Sequence, residues 1–163
     1  MENRFRFERM KSTRVPYWDI TPKEVGFKDA HLMLKSAGPK NIQLLRDVMF
    51  VFDDAMMSNA RNLSKEKRRF VQDDHLISCM RMLGMFGKLR KIELSFHGRR
   101  ELYRSDVRFL EALYTMQADE IAIVPHPTWS KWQNAPPKVH TLLKEAIVNE
   151  MTRRKKIYQT NAK

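Results

Sequence analysis

The sequence predicts an α/β fold with a small parallel sheet, and three observations carry that prediction. Apolar positions switch repeatedly between a period near 3.6 and a period of 2, the marks of helix and strand. The two kinds of stretch alternate as β-α-β-α-β-α-β-α, an order that suits parallel strands joined by right-handed crossovers. One strand, Val48 to Phe52 (VMFVF), is apolar at every position, as a central strand covered on both faces should be. At 163 residues the chain is expected to form a single domain, 1–163, with a continuous core.

Taken in order, Arg4 to Met10 (RFRFERM) alternates Phe5 and Phe7 with charged residues and reads as the first strand. Residues 11–26 hold Pro16, Pro22 and Gly26 and read as a loop. Phe27, Ala30, His31 and Leu34 share a helical face. Gly38-Pro39 is expected to end that helix, with a short turn over Asn41–Leu45 and the strand Val48–Phe52 after it. Residues 53–72 open with DDAMMSNARN, run into LSKEKRRF and read as a long polar loop.

The next helix places Leu76, Cys79, Met80 and Leu83 at i, i+3, i+4 and i+7. Asp73 or Asp74 suits its N-cap, and Gly84 and Gly87 are its expected stops. Ile92, Leu94 and Phe96 then alternate with Glu93, Ser95 and His97, which predicts a strand with one buried and one wetter face. After the charged connection Arg99–Arg104, Ser105 is the expected cap of a helix with rows Val107, Leu110, Tyr114 and Phe109, Leu113, Met116. Glu120 to Val124 (EIAIV) is the last strand, stopped by Pro125-His126-Pro127. A loop over 125–137 leads to a final helix from about Lys138, with Val139, Leu142, Leu143, Ala146, Ile147 and Met151 on one stripe. Pro137 suits its first position, Arg153 to Lys156 suit its negative end, and the tail 159–163 is expected to fray.

Three strand segments open alike: LLRDVMFVFDD, KLRKIELSFHG and QADEIAIVPHP. Their offsets, 44 residues from Leu45 to Leu89 and 29 from Leu89 to Ala118, are unequal, so any repeat is irregular. Two architectures fit: an open α/β sheet, or an irregular leucine-rich-repeat-like curve.

Composition bounds the function. Hydrophobic residues make up 42%, too many for a disordered chain, and no apolar run approaches the ~18 residues that span a bilayer. The amino terminus, MENRFRFERM, lacks the apolar stretch of a secretion signal. The single cysteine, Cys79, sits on a helix stripe and makes no intrachain disulfide, which predicts a reducing compartment, cytoplasmic or nuclear. A net charge of +12 favours polyanionic partners.

Parallel α/β sheets bind ligands beyond the carboxyl ends of their strands. Asp53, Asp54, His97 and His126 belong there. Aspartate with histidine suits a divalent ion or proton exchange, yet no HxH, HExxH or DxD spacing links these four. Their polar atoms are expected not to converge, and no metal, cofactor or catalytic residue is assigned. Nor is there a GxGxxG, a GxxxxGK[ST] or a GxSxG. The basic residues fall into two groups: Lys65, Lys67, Arg68, Arg69, Arg99 and Arg100, and the pair Arg153 and Arg154. With aromatics such as Trp129, Trp132 and Tyr158 they have the chemistry to hold phosphates and stack bases.

The stretches AGPKNIQLLRDVMFVFDD, DDHLISCMRMLGMFGKLRKIELSFHGRR and DVRFLEALYTMQADEIAIVP resemble a group of filamentous-ascomycete proteins described as F-box-like or leucine-rich-repeat-like. They cover roughly residues 36–124, and the FRF of Phe5–Phe7 resembles the strand before them. The LPxELR-type segment of such relatives is not found in this sequence, which removes the feature that implies a ubiquitin-ligase adaptor. The resemblance implies an intracellular α/β interaction domain and no catalytic residues. The expected function is therefore a non-catalytic module that binds a macromolecular partner, first a protein. Its contact residues are expected to be Glu93, Ser95 and His97 on the wetter strand face, with Trp129 and Trp132 in the last loop. Nucleic-acid binding through the basic residues is the alternative, and a metal-dependent enzyme comes third.

Overall fold

The computed structural model describes residues 4–11, 24–55, 62–126 and 136–153. In chain order the elements are β1 (Arg4–Glu8), β2 (Met10–Lys11), β3 (Glu24–Gly26), α1 (Lys28–Ile42), β4 (Asp47–Phe52), α2 (Asp74–Phe86), β5 (Lys91–Phe96), α3 (Val107–Thr115), β6 (Glu120–Ile123) and α4 (Thr141–Met151). A short 3-10 turn, Phe70–Gln72, leads into α2.

β1, β4, β5 and β6 form one sheet in that order, and every pairing is parallel. The open α/β sheet that the alternation predicts is thus the fold. Each crossover steps one strand in the same direction, and right-handed connections then put α1, α2 and α3 on one face. Successive helices pack on one another, and α4 closes against α3 and β6.

Register explains the core. Phe7 lies opposite Phe50, and Val48, Phe50 and Phe52 lie opposite Ile92, Leu94 and Phe96. These residues point to the helices, where Leu34, Leu76, Met80, Leu83, Leu110 and Leu113 are also buried. Ring centroids stand 4.8 Å apart for Phe7–Phe50 and 4.9 Å for Phe52–Phe96, and Phe109 meets Phe52 edge-on. Each such side chain, fully buried, contributes about 1.5–3 kcal/mol of hydrophobic free energy. β4 is buried at all six positions, but Met49 and Val51 lie outside the core cluster because the pleat turns them to the other face. There Ser95 sits beside Val51, and ion pairs join Arg4 to Glu93 and Lys91 to Glu120.

Within α1 the expected break at Gly38-Pro39 is present: Gly38 takes φ +70°, outside the helix, and Pro39 opens a second short helical run where a missing N–H costs little. Several local expectations are corrected. Residues 11–26 are not wholly loop, since β2 and β3 pair antiparallel at the two ends of that region. The stretch 53–72 ends inside the core, with Phe70 and Val71 buried. Gly84 does not stop α2. A methyl there would meet the Thr115 carbonyl oxygen at 2.6 Å, so this glycine permits the close approach of α3. Gly87 does end α2 as expected, though at φ −73°, outside the left-handed region. Asp106 rather than Ser105 precedes α3. Helix α4 begins at Thr141 because the chain before it extends the sheet. The Lys138 N–H donates to the Phe96 carbonyl at 3.0 Å, and Val139 bridges to Leu102. Asp73 does cap α2, its Oδ1 accepting from the His75 and Leu76 N–H groups at 3.0 and 3.1 Å. Among the described residues, no helix is long and apolar enough to cross a membrane.

Candidate functional site

Because β4 and β5 are parallel, the residues that follow them leave the same edge of the sheet. Asp54 joins them there. Its side chain is only 3% exposed. Oδ1 accepts the Phe70 N–H at 2.9 Å and Oδ2 accepts the Arg99 N–H at 2.8 Å. The Arg99 Nε lies 3.5 Å from Oδ2, while its Nη2 donates to the Ala55 carbonyl at 2.9 Å. The Ala55 N–H in turn donates to the Arg68 carbonyl at 2.8 Å. One carboxylate therefore ties together the end of β4, the turn before α2 and the loop after β5. Gly98 fits this junction through its lack of a side chain. A methyl there would lie 2.8 Å from a Phe70 ring carbon and 3.2 Å from Asp54 Oδ1.

The product of this tie is a pocket of about 190 Å³ lined by Asp54, Lys65, Arg69, Arg99 and Arg100. Arg69 is held in a fork by Asp106, with Nη1–Oδ1 and Nη2–Oδ2 both at 3.1 Å. Lys65 and Arg100 are exposed and make no ion pair or hydrogen bond among the described residues. Next to Arg69 in the chain, Arg68 is 5% exposed, and its Nε and Nη1 have no hydrogen-bond partner among the described residues. Four cations around one internally committed carboxylate have the chemistry to hold an anion. Charge-assisted hydrogen bonds from guanidinium and ammonium groups are the strong kind, and guanidinium suits phosphate or carboxylate oxygens in pairs.

No protein-family model, curated protein or solved structure matches this chain.

A second group forms at the same edge. The rings of His97 and His126 meet T-shaped at 4.7 Å, and His97 Nε2 lies 2.8 Å from Ser95 Oγ. Of the four polar residues expected at this edge, the two histidines thus bring their rings into contact. Burial first, then the charges of His126 and Lys138 against an opposing pull from Asp53, lower the pKa of His97 to about 4. The ring is therefore neutral at pH 7. Asp54 belongs to the other junction. Among the described residues, no three His, Cys, Asp or Glu side chains come together as a metal-holding group.

The face expected to be wetter offers a partner little. Ser95 is fully buried, and Glu93 is only 15% exposed in its side chain and is engaged by Arg4 and Lys91. Strand alternation marks that face as polar, but the charges are consumed in ladders across the strands. Trp129, Trp132 and Arg154 lie outside the described residues. Lys67 is exposed beside a different, mixed-charge pocket that also holds Arg9, Asp73, Asp74 and Arg108. Arg153 is at the opposite edge of the sheet, with Nη1 3.4 Å from the Asp119 carboxylate and Nη2 3.3 Å from the Leu89 carbonyl. The sequence reading missed Tyr103 and Asp106. The available signal was an aromatic and an acid in GRRELYRSD, directly after the basic pair.

Proposed function

We propose that this chain is a non-catalytic interaction module that binds an anionic macromolecule at the carboxyl edge of its sheet. The observation that carries this reading is the convergence of Lys65, Arg69, Arg99 and Arg100 on one pocket, although they come from segments some thirty residues apart. Arg69 and Arg99 are already positioned by Asp106 and Asp54, so little side-chain freedom is lost when they meet a ligand. Lys65 and Arg100 supply charge that no described residue neutralises. The net charge of +12 adds long-range attraction, which speeds encounter without defining a site. A partner surface on the strand face has less support, because Ser95 and Glu93 are withdrawn from solvent.

Inorganic polyphosphate tests the reading. Lys65→Glu/Arg100→Glu and Lys35→Glu/Lys88→Glu lower the net charge equally, but only the first pair alters the pocket; Lys35 and Lys88 are exposed elsewhere. The pocket variant is expected to lose at least about tenfold in affinity at moderate salt, and the control much less, because local contacts outweigh screened distant charge. Equal losses in the two variants would sink the proposal.

A further inference from the structure

We infer that the ligand of the basic pocket is single-stranded nucleic acid, with its phosphate held by Lys65, Arg99 and Arg100 and a base stacked on Tyr103. The inference rests on the anion-site reading above and adds the class of partner. Phe5 and Tyr103 are the exposed phenylalanine and tyrosine side chains among the described residues, and Tyr103, at 51%, is the one whose backbone is tied through Asp106 to a pocket arginine. Its backbone N–H donates at 3.0 Å to Asp106 Oδ2, the same oxygen that accepts from Arg69 Nη2. Arg69 also reaches the Glu101 carbonyl at 3.4 Å. The neighbouring Leu102 is buried and bridged to Val139, so the segment that carries the tyrosine is fixed on both sides. An exposed ring on a backbone pinned by the same carboxylate that holds a pocket guanidinium is suited to hold a single strand. The cations follow the backbone, and the ring stacks on a base that no duplex partner occupies. An acidic protein segment satisfies the same cations but gains nothing comparable from the ring, so nucleic acid is favoured.

Fluorescence anisotropy with a uridine strand, a thymidine strand and a base-free deoxyribose-phosphate strand of equal length tests this. The intact protein is expected to bind at least one base-bearing strand about tenfold more tightly than the base-free one, the effect of one stacked base. Tyr103→Ala should erase that difference, and Tyr103→Phe should keep it. Because Tyr103 is exposed, neither variant threatens the fold. Equal affinity for all three strands would overturn the inference while leaving the anion site standing. Failure to bind any strand or polyphosphate would overturn both. Displacement of the uridine strand by polyglutamate of equal charge, at lower concentration than the unlabelled strand needs, would assign the site to an acidic protein and overturn the inference.

Discussion

The carboxylate of Asp54, two residues past the end of β4, accepts the backbone N–H of Arg99, three residues past the end of β5, at 2.8 Å. With the Phe70 N–H on its other oxygen, Asp54 fixes the walls of the basic pocket. Asp54→Ala would leave the buried Phe70 N–H and the part-buried Arg99 N–H without this acceptor, at a cost of about 1–3 kcal/mol in urea unfolding. Binding gives a sharper test. On charge alone, removing an acid from a basic pocket strengthens anion binding; if Asp54 organises the pocket, Asp54→Ala weakens it at a denaturant-free temperature where the variant stays folded. Stronger polyphosphate binding by the variant would count against the organising role.

Gly98 makes a second prediction at the same junction. Gly98→Ala drives a methyl against the Phe70 ring and Asp54 Oδ1, and the ring has no room to retreat because it packs against Phe52, Phe96 and Phe109. Overpacking of this kind costs about 1–3 kcal/mol. A thermal midpoint unchanged from the parent would show that the contact relaxes freely.

His97 predicts a pH dependence. In the fold it titrates at about 4, against an ordinary 6.5. Below pH 6.5 the unfolded chain takes up a proton that the folded chain refuses, so stability present above pH 6.5 is lost as the pH falls towards 4. Each unit of difference corresponds to about 1.4 kcal/mol, and partial solvent screening of the ring reduces the expected loss to about 1–2 kcal/mol. Urea midpoints of the parent and of His97→Asn between pH 7.5 and pH 5 should diverge accordingly. The window stays above the acid range, where the Asp47 carboxyl, held low by its hydrogen bond to Arg90, begins to contribute. Parallel profiles would contradict the assignment.

Cys79 is fully buried on α2, and burial, with the charge of Asp73 adding, pushes its pKa up to about 12. The thiolate is the reactive form, so the native thiol should resist alkylation by iodoacetamide at pH 8 and react readily in urea. Rapid labelling of the native protein, followed by mass spectrometry, would show that α2 opens far more often than its packing implies.

The sequence by itself determined the alternation of elements, the parallel sheet and the identity of the core. Those follow from local periodicity: Val48, Phe50 and Phe52 or Leu76, Met80 and Leu83 bury themselves wherever strand and helix meet. It also determined that the chain is strongly basic and which short runs hold the charge. Only the tertiary structure decided which charges act together. Lys65 and Arg69 meet Arg99 and Arg100 because β4 and β5 are neighbours in parallel register and Asp54 ties their loops, while Arg153 is carried to the opposite edge by the direction of α4. The same cause withdrew Glu93 and Ser95 from solvent, since cross-strand partners are set by register, which alternation along one strand does not encode.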